Sequence, residues 1–78
     1  MIALTQIQKK LAKAIKESGL TQTALAERLN VKQPTVGQYI SGRAMPALDT
    51  FANLCVILDL SPDDILCIND ENNKLLVK

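Results

Sequence analysis

Histidine is missing from this 78-residue chain, and its two cysteines, Cys55 and Cys67, stand twelve positions apart. The missing imidazole removes the commonest general base, the Ser–His and Cys–His nucleophile pairs, and a principal metal ligand. No CxxC pair occurs, so the cysteine spacing fits no zinc site. The residues therefore predict no catalytic site, no metal and no cofactor, and the chain reads as a non-enzyme. Cations remain as the side chains with something to bind. Lys9, Lys10, Lys13 and Lys16 recur at helical intervals; at about 100° per residue, Lys9, Lys13 and Lys16 fall on one arc with Lys10 on its flank. Such a stripe is either a solvated helix face or a surface for phosphate.

The formal net charge of +1 argues against a strongly basic nucleic-acid binder, but it hides a division. Residues 1–43 hold seven cations against two acids, a local charge of +5. Residues 44–73 hold six acids (Asp49, Asp59, Asp63, Asp64, Asp70 and Glu71) and no cation, and Lys74 and Lys78 follow. One end thus suits polyanions and the other repels them. A hydrophobic content of 47% fits a packed globule. Tyr39 and Phe51 are the two aromatics, too few for a base-stacking platform on single strands. No signal peptide precedes the first charged turn, and every apolar run is far short of a membrane span. These features predict one soluble cytoplasmic domain with no membrane partner.

Apolar residues recur at helical rather than alternating intervals, so the elements that position these charges are helices. Leu4, Ile7, Leu11, Ala14 and Ile15 predict a first helix ending at Gly19. Thr21 is a suitable N-cap for a second, running to about Leu29 with Leu25 and Leu29 inward. Asn30, which tolerates positive φ, marks a turn. A third helix covers roughly Gln33 to Ile40 with Pro34 in its first turn, and ends at Ser41-Gly42. A fourth runs from about Leu48 to Leu58 with Phe51, Leu54, Cys55 and Leu58 inward. Ser61 is expected to cap a short fifth helix opened by Pro62, Asp63 and Asp64. Residues 1–68 form the expected domain, and residues 69–78 a tail containing Leu75-Leu76-Val77.

Gln22 to Ser41 meets the demands of two short helices joined by a tight turn, a unit that reads DNA. Ala26 is small where the helices must approach closely. Leu25, Leu29, Val31, Val36 and Tyr39 lock one helix on the other, and Asn30 takes the turn position usually given to Gly. Here the chain resembles the lambda-repressor/Cro-type, or XRE-type, helix-turn-helix family. The resemblance runs from about Leu4 to Leu66 and rests on GLTQTALAERLNV, QPTVGQYISGR and PALDTFANLCVILDLSPDDIL. It implies an all-α, five-helix domain that binds double-stranded DNA as a homodimer, with its third helix in the major groove.

Carried over by position, the resemblance makes Gln33 the first base-reading residue, able to pair with adenine N6 and N7. Gln38 matches a second base-facing position, with Thr35 between them on the exposed side. Pro34 offers only van der Waals contact, and Gly37 either allows close approach to the groove or is tolerated drift. Gln22 matches a residue that touches a phosphate and braces Gln33. Thr21, Lys32, Ser41, Arg43 and the α-helical Lys10 complete the candidate phosphate contacts. Tyr39 reads as core, with its hydroxyl as an alternative phosphate contact, and Ile40 departs from the family's frequent acidic residue.

In the family the fifth helix and the loop before it form the dimer contact. Leu60, Pro62, Ile65, Leu66 and Ile68 become candidates for that interface, although Ile65 and Leu66 could instead close the monomer core. Leu75-Leu76-Val77 could pair across the two-fold. Cys55 reads as a core residue and Cys67 as partly exposed. The resulting function is a phage- or prophage-type repressor reading a pseudo-palindromic operator. The alternative is an antitoxin whose protein partner is a toxin and whose DNA binding is autoregulatory.

Overall fold

Helices form where the apolar residues recur every three to four positions. The computed structural model describes residues 1–69. They contain α1 (Leu4–Glu17), α2 (Gln22–Leu29), α3 (Gln33–Ser41), α4 (Leu48–Leu58) and α5 (Pro62–Ile65), with no strand among the described residues. The architecture is the expected all-α, five-helix one. Residues 70–78, with the Leu75-Leu76-Val77 of the expected tail, lie outside the described residues.

Local chemistry sets each boundary. At the start of α1, the Gln6 side-chain oxygen accepts the Ala3 N–H at 2.7 Å. At its end, the Ser18 hydroxyl donates to the Ile15 carbonyl at 2.7 Å and accepts the Leu20 N–H at 3.2 Å. One side chain thus closes α1 and shapes the entry to α2. Thr21 caps α2 as expected, its Oγ1 accepting the Ala24 N–H at 3.1 Å. Asn30 adopts the left-handed conformation (φ 58°, ψ 43°), and the Val31 N–H reaches back to the Ala26 carbonyl at 3.0 Å. The turn between α2 and α3 is therefore fixed by its own hydrogen bonds. Asp59 (φ 53°) ends α4 in the same way, with the Leu60 N–H on the Cys55 carbonyl at 2.8 Å.

Four helices each contribute one completely buried side chain to a shared core: Leu11, Leu25, Val36 and Leu54. Ile15, Ala26, Leu29, Tyr39, Phe51, Cys55 and Ile65 surround them. α3 packs mainly against α1 and α2, α2 also meets α4, and α1 meets α5. α3 is thus held from two sides, leaving its remaining face outward.

Several expectations change. Leu4 is 57% exposed, because the first turn of α1 projects beyond the core that Ile7 and Leu11 reach. Ser61 stands at the N-cap of α5, but its hydroxyl makes no cap bond. Cys67 is buried rather than partly exposed, since positive φ (64°) at this residue turns it back under the chain after α5. Ile65 is also buried in the single chain, where its side chain closes the core. Leu60 and Leu66 are half-buried against that core, while Pro62 and Ile68 are exposed.

Candidate nucleic-acid interface

Successive residues of α3 divide between inside and outside by helical geometry alone. Val36 and Tyr39 are buried, and Ile40 is half-buried beside them. About 100° per residue then turns Pro34, Gln38 and Ser41 directly outward. Gln33 and Gly37 lie one turn apart on the flank nearest α2, and Thr35 lies on the opposite flank. Gln33, Pro34 and Gln38 are exposed, whereas Thr35 and Gly37 are half-buried. Thr35 is thus less open than expected, because its position is turned toward the packed side of the helix. Pro34 costs nothing here: it occupies the first turn, where its missing N–H has no helical partner.

Gln22, the first residue of α2, supplies the link between the two helices. No hydrogen bond joins Gln22 to Gln33 among the described residues. Instead the Gln22 amide lies over α3 one turn further on: its Oε1 is 3.4 Å from where a Cβ would stand on Gly37. The short side at Gly37 lets the amide rest there. A different signal would have identified this contact, since a glycine inside a helix one turn after Gln33 marks a close approach. That approach is by a neighbouring side chain.

The starts of α2 and α3 lie beside this face. Thr21 accepts its cap bond through Oγ1, which leaves its hydroxyl proton free to donate to a phosphate. Lys32 is the exposed N-cap of α3 and makes no side-chain cap bond, so its ammonium extends from the positive end of the helix. Arg43 is exposed immediately after Gly42, whose positive φ (79°) ends α3. The Arg43 and Ala44 N–H groups both bond the Gln38 carbonyl, at 3.0 and 3.3 Å. The exposed Ser41 hydroxyl donates to that same carbonyl at 3.2 Å.

Lys10, among the expected phosphate contacts, has an acidic neighbour. Its ammonium faces Asp64 of α5 at 3.8 Å, on the side of α1 turned toward the acidic end. Lys13 lines the hollow on that side as well, with Asp59 and Asp64. Lys9, Lys13 and Lys16 line a shallow groove between α1 and the C-terminal end of α3, with Ser41 and Gly42 on its far wall. Gln8 spans that groove at its base, donating from Nε2 to the Gly42 carbonyl at 3.1 Å. The bond anchors the loop that carries Arg43 to the first helix.

Tyr39 belongs to the core, and burial raises its phenol above the ordinary tyrosine range. Burial likewise raises the Cys55 thiol. No group of His, Cys, Asp or Glu suited to holding a metal occurs among the described residues. No described helix is long and apolar enough to cross a membrane. Comparison with curated proteins and with solved structures returned no match. The helix-turn-helix family model matches residues 8–65, which span α2, the Asn30 turn, α3 and the helices that hold them. The chain belongs to the XRE-type helix-turn-helix family of DNA-binding regulators.

Proposed function

We propose that this protein is a sequence-specific, homodimeric transcriptional regulator of the phage-repressor kind, reading a pseudo-palindromic operator through the major groove. The observation that carries this reading is the outward face of α3. Its exposed residues Gln33, Pro34 and Gln38 are bordered by Thr21 at one helix start, Lys32 at another and Arg43 after the helix end. Amides can read base edges, and hydroxyl, ammonium and guanidinium groups can hold the phosphates on either side. Gln33 and Gln38 are assigned to bases, with Pro34 and the Thr35 and Gly37 flanks in van der Waals contact. Thr21, Gln22, Lys32 and Arg43 are assigned to the backbone. Dimerisation is assigned to the exposed Pro62 and Ile68, supported by Leu60 and Leu66. The arrangement would place the two copies of α3 about one DNA turn, ~34 Å, apart.

Selection of bound duplexes from a random pool, followed by titration at several salt concentrations, tests the proposal. Enriched sites should contain two inverted half-sites, and affinity should fall steeply as salt rises. Enrichment of a single asymmetric half-site would remove the homodimer. A salt-independent affinity, or no enriched sequence, would remove sequence-specific recognition itself.

A further inference from the structure

Charge is distributed unequally on the two flanks of α1. On the flank that meets α5, Lys10 and Lys13 line a hollow with Glu17, Asp59 and Asp64, so the cations there are offset. The Lys10 ammonium itself lies 3.8 Å from the Asp64 carboxylate. On the flank that meets the end of α3, Lys9, Lys13 and Lys16 line the groove against one acid, Glu17. All three lysines are exposed, and among the described residues neither Lys9 nor Lys16 makes an ion pair. The second flank is cationic where the first is balanced.

Ser41 connects this groove to the rest of the molecule. It stands with Pro34 and Gln38 on the outward face of α3, and with Gly42 it lines the groove. The two surfaces are therefore continuous, and the bond from Gln8 Nε2 to the Gly42 carbonyl joins the two walls. Anything long and anionic seated on the outward face of α3 meets the groove at Ser41.

Spacing then favours a row of phosphates. Seven residues separate Lys9 from Lys16, which is about 10.5 Å along the helix and about 20° around it. The two side chains thus stand nearly in line. That length is about three steps of one DNA strand at ~3.4 Å each. A lysine ammonium is a point charge on a flexible stem, able to follow phosphate oxygens without a fixed orientation. Lys13 has Asp59 and Asp64 on its other side to share its charge, so Lys9 and Lys16 carry the larger part.

We propose that the α1–α3 groove is a second phosphate-binding surface for the same duplex, in which Lys9 and Lys16 hold the strand that passes the C-terminal end of α3. The proposal rests on the reading of α3 as the helix that enters the major groove. It adds α1 to the contact surface, and these contacts supply affinity and register without sequence choice.

Salt titrations on the selected duplex test this with Lys9→Gln, Lys16→Gln and the charge-matched Lys10→Gln. All three positions are exposed, so circular dichroism should retain the helical signal. Lys9→Gln and Lys16→Gln should each reduce the salt slope by about 0.9 and weaken preferred and random duplexes alike, while Lys10→Gln leaves the slope unchanged. A scan of single methylphosphonate linkages, which are neutral, then locates the contact. Two nearby linkages of one strand should weaken binding by the unchanged protein severalfold and have no further effect on Lys9→Gln/Lys16→Gln. Unchanged slopes in both single variants, an equal decline in Lys10→Gln, or a methylphosphonate pattern shared by the double variant and the unchanged protein would overturn the proposal. Gln33→Ala separates the two readings. If it relaxes base choice while the lysine variants change nothing, the groove assignment fails and the reading of α3 stands. If the unchanged protein enriches no sequence, the reading of α3 fails and the groove assignment falls with it.

Discussion

Gln33→Ala removes an exposed amide from the start of α3 without touching the core, so its effect belongs to recognition. The expected loss is about 1–3 kcal/mol for the preferred duplex, with relaxed choice at one base pair per half-site. Competition titrations against single-base variants of the selected site measure both. Lys32→Ala should behave differently, weakening preferred and random duplexes alike and reducing the salt slope by about 1. Lys10→Ala provides the contrast, because the Lys10 ammonium faces Asp64 and not the α3 surface. Its salt slope should equal that of the unchanged protein, and an exposed ion pair of this kind contributes only about 0–1 kcal/mol to stability. A Lys10 variant with a reduced slope would return that lysine to the phosphate set. The exposure of Gln33 and Gln38 could be read from sequence because position in a helix sets which way a residue faces. The contacts of Ser41 and Lys10 could not, since each depends on a partner, Gln38 or Asp64, that the motif does not specify.

Gly37 shows how far the helices themselves were legible. A glycine in mid-helix costs about 1 kcal/mol relative to alanine, and at this position the backbone does not require one. Among the described residues outside α3's own backbone, an added Cβ would meet only the Gln22 Oε1 at 3.4 Å, the end of a flexible side chain. Gly37→Ala should therefore raise stability by about 0.5–1 kcal/mol in urea unfolding. Displacing the Gln22 amide should at the same time weaken DNA binding. A variant that is less stable would mean that the α2–α3 approach is tighter than the 3.4 Å contact implies. The spans of α2, α3 and α4 were readable because caps, a proline and apolar periodicity agree along short stretches of chain. The fate of Leu4 and Ser61 was not, because the reach of the core and the direction of a hydroxyl depend on elements distant in sequence.

For the molecule as a whole, the division of charge becomes a matter of faces. The cations of residues 1–43 do not form one surface: Lys9, Lys13 and Lys16 line the α1–α3 groove, Lys10 turns to α5, and Lys32 and Arg43 flank the outward face of α3. Stability should also depend on pH at the alkaline end. Burial raises the pKa of both Cys55 and Tyr39, so the folded state holds their protons more tightly than the unfolded chain does. Their contribution is complete below the ordinary thiol and phenol ranges and is lost as pH rises through the raised values. Urea midpoints should consequently fall between neutral pH and about pH 10. Cys55→Ala should lower the midpoint at neutral pH but flatten the alkaline decline. An unchanged decline in that variant would place the sensitivity elsewhere.

By itself, the sequence determined the all-α class, the approximate helix spans and the Asn30 turn. Each of these follows from interactions among residues a few positions apart, which periodicity and capping record directly. Only the tertiary structure decided that Ile65 and Cys67 lie inside, that Gln22 rests over Gly37, and that Lys10 faces Asp64. Those outcomes depend on how α1, α2 and α5 are set around α3. Packing of four helices on Leu11, Leu25, Val36 and Leu54 fixes that arrangement, and no local stretch of the chain encodes it.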